Sequence, residues 1–180
     1  MELPLFKSRW QKQLFLLCLL AITTFFSGCA SAWISDGAYV NEAKGFAVKL
    51  PPAAWKVQTG EEADLILRHK HREAGILINA SCSEVPPNRP LTILSRYLFF
   101  GVREKEILRE QRRALSQGEA LEVVLRGEMG TMGLLLHGYT VKEHGCVYDL
   151  VLFASPRDYP EVGGEFDVLV QQFRILPERR

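Results

Sequence analysis

The sequence lacks an excess of either charge: 22 Lys and Arg stand against 21 Asp and Glu, for a formal net charge of +1. So balanced a chain gives no electrostatic reason to expect nucleic acid as its main partner. Cysteine is scarce, at four residues, which excludes a dense disulfide scaffold, and the absence of Cys-x-x-Cys argues against a redox motif. There is no internal repeat and no low-complexity tract. The apolar run Leu14 to Phe26 falls short of the roughly 20 residues that a helical membrane span needs, and no second run of that length follows. The Gly-x-Ser-x-Gly elbow of serine hydrolases is missing. Gly127, Gly130 and Gly133 lie around a hairpin and lack the strand–loop–helix setting of a phosphate cradle. What remains is 180 residues, 47% hydrophobic and 24% charged, the profile of one ordinary globular domain.

That average conceals an uneven start. Lys7, Arg9 and Lys12 face only Glu2 within residues 1–13, and Leu14 to Phe26 then run without a charge. A basic segment followed by an apolar run too short to span a bilayer is the pattern of a signal peptide. Composition alone also fits an ordinary secretory signal cut near Ala30 or Ala32. The segment Phe26-Ser27-Gly28-Cys29, however, resembles the lipobox of bacterial lipoproteins. The resemblance implies a signal peptide over 1–28 and a diacylglyceryl group, with palmitate-type chains, on Cys29. Those chains would hold the mature protein at a membrane, at about 0.8 kcal/mol per buried methylene. Ala30, where Asp would favour the inner membrane, implies the periplasmic face of the outer membrane. Loss of the leader removes Lys7, Arg9 and Lys12 with Glu2 and leaves the mature chain slightly acidic.

Cys82 and Cys146 then remain, each at the end of an expected strand. An oxidising compartment favours a bond between them, and two separate thiols are the alternative. Residues 29–44 read as a lipidated N-terminus and tether, with room for one short added segment of the fold, and 45–177 as a single globular domain. Gly45 to Leu50 reads as a strand stopped by Pro51-Pro52, followed by strands near Trp55-Lys56-Val57, Ala63 to His69 and Gly75 to Cys82. Pro86, Pro87 and Pro90 punctuate the next connection. Leu91, Leu94, Tyr97 and Leu98 recur at helical spacing after Pro90. The segment Glu104 to Leu115 has helical propensity, but the meander that follows needs a partner strand, so a strand is expected after Glu106. Ala120 to Met129, Gly133 to Lys142 and Cys146 to Ala154 form that meander. A closing helix is expected from Ser155-Pro156, carrying Val162, Phe166, Leu169, Val170 and Phe173.

An antiparallel sheet with one inserted helix and a C-terminal helix is an α+β sandwich. Gly45-Phe46 through Leu50-Pro51, then Trp55, the inserted helix, the meander, and Phe166 and Phe173 follow the element order of the PsbP-like fold. The resemblance spans Gly45 to Leu176 and implies an accessory or binding module without a shared catalytic centre. It does not by itself transfer a function.

Sites for chemistry are few. His69 and His71, two apart on a strand, share a face that suits a metal ion, but Arg68, Lys70 and Arg72 oppose a second positive charge. The run Arg68 to Arg72 reads as a solvated hairpin tip, with contact to anionic headgroups or polymers as the functional alternative. His144 and Cys146 are a weaker metal pair, and His137 reads as a core or sheet-face histidine. Glu104, Glu106 and Glu110 interleaved with Lys105, Arg109, Arg112 and Arg113 read as a solvated face. Asn79 and Asp149 sit among apolar strand residues, either as structural hydrogen-bonding groups or as the polar floor of a ligand pocket. Tyr97, Leu98, Phe99 and Phe100 are apolar most of the way round a helix, either packed in the core or forming a partner patch. No catalytic constellation, resident metal or cofactor is expected. The sequence therefore points to a membrane-anchored, non-catalytic envelope module with a protein partner. A small-ligand or lipid-binding lipoprotein with a pocket between sheet and helices is the alternative.

Overall fold

Alternating burial through the second half of the chain becomes long antiparallel strands in the computed structural model. The structure describes residues 32–177, apart from 52, 59, 61–62, 83–88 and 117. The leader, Cys29, Pro86 and Pro87 lie outside the described residues. In chain order the elements are β1 (Ala32–Ser35), β2 (Ala38–Asn41), β3 (Phe46–Lys49), β4 (Trp55–Gln58), β5 (Leu65–His69) and β6 (Ala74–Ser81). Helix α1 (Leu91–Leu98) precedes β7 (Arg103–Leu115), β8 (Gly118–Met129), β9 (Met132–Glu143) and β10 (Cys146–Ala154). Helix α2 (Tyr159–Gln172) runs straight into β11 (Phe173–Ile175).

The strands form two sheets, a four-stranded one in the order β1-β2-β3-β11 and a seven-stranded one in the order β4-β5-β6-β10-β9-β8-β7. Two tight turns are specified by residues that tolerate positive φ. Asp36-Gly37 (φ 50° and 71°) joins β1 to β2, and His144-Gly145 (φ 50° and 73°) joins β9 to β10. In the small sheet, Ala32, Asn41, Phe46 and Ile175 share one rung.

Period-2 alternation gives the large sheet two apolar faces. Leu150 and Leu152 face one way, into the main core with Phe46, Val48, Phe166, Leu169 and Phe173. Val151 faces the other way, with Leu121, Val123, Leu125, Leu136 and the α1-flanking Phe99 and Val102. Helix α1 lies close on β9, because a Cβ built on Gly138 would stand 2.7 Å from Leu98 Cδ2 and 2.8 Å from Phe99 Cζ. Gly138→Ala should therefore destabilise the protein by about 1–3 kcal/mol through overpacking, read as a lowered thermal midpoint. An unchanged midpoint would mean that α1 moves off the sheet freely.

Several expectations need correction. Residues 32–44 are not a tether, since β1 and β2 are sheet strands and Tyr39 is buried in the main core. The domain thus begins at Ala32, upstream of the expected residue 45. The strand expected after Glu106 already starts at Arg103, and pairing with β8 overrides its helical propensity. Ser155 does not cap the closing helix. It forms a separate turn, in which Asp158 N–H donates to Ser155 Oγ at 3.2 Å, and Asp158 is the residue that precedes Tyr159. Phe173 sits on β11 instead of the helix, paired with Val48.

Candidate binding site

Helix α1 is eight residues long and leaves part of its sheet face uncovered. The result is an open groove with a volume of about 760 Å³. Strands β5, β6 and β10 supply its floor with Ile66, Leu77, Asn79, Asp149, Val151 and Phe153. One wall comes from Tyr97, Leu98, Phe100 and Val102, with Met129 from the β8–β9 hairpin. Arg68 closes the other side, its guanidinium 5.6 Å from the centre of the Phe153 ring. The volume lies within the usual range for small-molecule sites, and the lining is apolar with a few polar groups.

Two of those polar groups are cross-strand neighbours. Asp149 is directly opposite Asn79 on β6 and opposite Thr140 on β9. The Thr140 hydroxyl donates to Asp149 Oδ1 at 2.9 Å. Burial outweighs that bond and pushes the Asp149 carboxyl up to about 6, from an ordinary value of 3.8. A raised native pKa stabilises the fold below about pH 4, where the group is neutral in both states. That contribution is lost as pH rises through 6. Asp149→Asn, which keeps an acceptor for Thr140, should stabilise the protein by on the order of 1–3 kcal/mol at pH 8 and hardly at all at pH 4. Urea unfolding at both pH values tests this, and an equal effect at each would refute it.

On the opposite face of the same sheet lies a polar cluster sealed beneath α2. Glu122 is fully buried, and its two oxygens accept bonds from four side chains. Oε1 is 2.6 Å from Arg109 Nη2 and 3.0 Å from His137 Nε2. Oε2 is 2.7 Å from Gln111 Nε2 and from Arg113 Nε. Burial alone would raise the Glu122 carboxyl, but the bonds from Gln111, Arg113 and Arg109, with the Arg109 charge, outweigh it and hold the group at about 2. Burial lowers the His137 imidazole, keeping it neutral against the pull of Asp167 and Glu122. A carboxylate can only accept, so Nε2 carries the His137 proton, and Nδ1 accepts from the Tyr159 hydroxyl at 3.2 Å. The Tyr139 hydroxyl donates to Asp167 on α2 at 3.1 Å. The cluster thus ties β7, β8 and β9 to α2. It is built to hold the helix, since Glu122 and His137 are closed off from solvent.

The other expected residues are dispersed. Of the run Arg68 to Arg72, Arg68 lies over Phe153 and His69 meets Trp55 edge-on, with centroids 5.0 Å apart. Arg72 pairs with Asp158 at 3.4 Å and with Glu161. Arg68, Lys70 and His71 are exposed, whereas His69 and Arg72 are half-buried. Within the run, Asp158 before α2 and Glu161 on it offset the charge of Arg72 alone. Tyr97 and Phe100 are 64% and 88% exposed, and Leu98 is half-buried. Phe99, at 4%, belongs to the core and not to the patch, because it faces β9 at Gly138. Cys82 and Cys146 are joined by a disulfide at the ends of the paired β6 and β10. Among the described residues no group of His, Cys, Asp and Glu is placed to hold a metal ion.

No protein-family model matches the sequence, and no curated protein does. Solved structures do match. The cyanobacterial PsbP (CyanoP) of Synechocystis sp. PCC 6803 aligns with a TM-score of 0.58 at 18% identity, over 83% of this chain and 95% of that one. The fold is PsbP-like. LpqN of Mycobacterium tuberculosis, described as involved in cell envelope biogenesis, aligns with a TM-score of 0.54 at 14% identity, over 73% of this chain and 84% of that one. At these identities the likeness concerns the backbone path. No site residue is carried across.

Sequence reasoning missed Glu122 and Gln111 and left Arg109 and Arg113 on a solvated face, while His137 is the buried sheet-face histidine that was expected. The available signal was the single carboxylate in Ala120-Leu121-Glu122-Val123-Val124-Leu125. A charge at that position of an apolar strand must be paired if the strand is central.

Proposed function

We propose that the protein is a lipid-anchored, periplasm-facing accessory module of the cell envelope that acts by binding a protein partner and performs no catalysis. The observation that carries this reading is the open groove beside α1, with Tyr97, Phe100 and Met129 standing out at its rim. Exposed aromatic and methionine side chains around an apolar depression have the composition of a protein-interface core. The lipoprotein-like start at Cys29 supports placement at a membrane, on its outer-membrane side by the Ala30 criterion. Among the described residues no helix is long and apolar enough to cross a membrane. The description of LpqN as involved in cell envelope biogenesis agrees with an envelope role.

A photo-crosslinking amino acid placed at Phe100 in growing cells tests the reading. One reproducible protein adduct is expected, absent when the probe stands at Lys70 on the far hairpin. No adduct, or the same adduct from both positions, would sink it.

The Asn79–Asp149 floor favours a second reading, in which the groove takes a small amphiphile whose polar head donates to that carboxylate. Native mass spectrometry of the purified protein would then show a bound species that Leu77→Trp expels. Protein of bare mass removes this alternative.

A further inference from the structure

The outer face of the small sheet has a composition that the core does not explain. Register places Trp33, Val40, Ala47 and Arg174 on one rung and Ser35, Ala38 and Lys49 on the rung two residues along. Residues on these alternate rungs point to the same side, away from Tyr39, Val48 and Phe173, whose side chains enter the core. This outer face thus presents a 39% exposed tryptophan and half-buried small apolar residues, flanked by the exposed cations Lys49 and Arg174. None of its seven residues is acidic. Tryptophan beside small apolar side chains and basic residues is the combination that settles at a membrane–water interface. Cations there add attraction to anionic headgroups.

The chain length between Cys29 and β1 limits how far this face can stand from an anchor on Cys29. Only Ala30 and Ser31 separate Cys29 from Ala32, the first residue of β1, a reach of at most about 11 Å. Trp33 follows one residue later. If acyl chains on Cys29 enter the bilayer, β1 has no slack to stand clear of it, because the interfacial layer is itself several ångströms thick.

We infer that the outer face of the four-stranded sheet rests on the headgroup layer of the membrane that holds the protein, with Trp33 at the interface. The inference depends on the lipid anchor at Cys29 proposed above. The large sheet and the α1 groove are then carried in a fixed orientation and do not swing on a tether.

The test uses the full-length protein, processed and purified from membranes, in vesicles of phosphatidylethanolamine and phosphatidylglycerol with brominated acyl chains. After removal of the leader the remaining tryptophans are Trp33 and Trp55, and Trp55 is buried at 7% exposure. Brominated lipid is expected to lower the emission of the wild type by roughly a third, and to leave Trp33→Phe unchanged. Flotation of the vesicles reads the anchor separately. Floating protein without quenching overturns the inference and leaves the anchor standing. Quenching that persists in Trp33→Phe also overturns it, by showing that another face meets the lipid. Protein that does not float overturns the anchored reading, and the inference with it.

Discussion

Replacing Glu122 with Ala should lower the stability of the protein by about 3–4 kcal/mol, the largest loss expected from any single polar side chain here. Breaking a buried ion pair usually costs about 3–5 kcal/mol, because a charge is stranded in a low-dielectric interior. In this network the stranded cations have an exit. Arg109 and Arg113 are 46% and 52% exposed and can turn to water. His137 cannot, at 1% exposure, and its Nε2–H would be left without an acceptor next to a new void. Glu122→Gln keeps the shape and one acceptor oxygen, and should cost about half as much. Combining Glu122→Leu with His137→Leu should cost much less than the two single changes added together, since no buried polar group is then orphaned. Denaturant midpoints measure all of these. A Glu122→Ala protein within about 1 kcal/mol of wild type would show that the cluster does not hold α2.

The same network fixes the direction of the acid response. Glu122 and His137 both have lowered native pKa values, so each contributes stability that is present at neutral pH and lost on acidification. His137 begins to lose its share below its ordinary value of 6.5, and Glu122 loses its own between 4.5 and about 2. Asp149 works in the opposite direction between 6 and 3.8. Stability should therefore fall more gently from pH 6 to 4 than below 4.

Removal of the Cys82–Cys146 bond is expected to cost a comparable amount. The two residues are 64 apart in sequence, and closing a loop of that length in the unfolded chain is worth about 4 kcal/mol in the chain-entropy description. The bond sits just beyond one end of the β6–β10 pair, whose eight paired positions remain when it is cut. The expected phenotype is thus a folded but less stable protein. Cys82→Ala/Cys146→Ala should unfold at lower denaturant with an unchanged circular dichroism spectrum, and added reductant should then have no further effect on it. A double variant as stable as the wild type would show that the bond does not limit the unfolded chain.

Much of this architecture was legible because period-2 alternation is strong wherever one face of a strand is buried. The meander over Ala120 to Ala154 followed from that alternation, α1 from helical spacing after Pro90, and the PsbP-like element order from the resemblance of the whole pattern. The N-terminal hairpin was hidden for a physical reason. Ala38 to Asn41 is too short to display a period, and its best signal, Asp36-Gly37, lay in a stretch rich in small residues that resembles a linker. The floor pair Asn79 and Asp149 could be suspected singly, but their adjacency depends on the β6–β10 register, which no local pattern encodes. Glu122 was harder still. Its partners on β7 looked like an ordinary solvated charge ladder, and only the pairing of β7 with β8 turns Arg109, Gln111 and Arg113 inward onto one carboxylate. Phe99 shows the converse, as it is claimed by the core with Leu98 packed against it, while Tyr97 and Phe100 remain outside.

Ala32 and Ile175 occupy opposite ends of a single rung, with two strands between them. Three strand spacings amount to only about 14 Å. Anything fused downstream of Pro177 would consequently emerge near the start of the domain and would share any surface to which an anchor at Cys29 fastened it. A bulky C-terminal reporter would crowd such a surface, whereas a small epitope inserted at Gly130-Thr131 would project from the β8–β9 connection of the large sheet. The choice of tag position is therefore set by strand order.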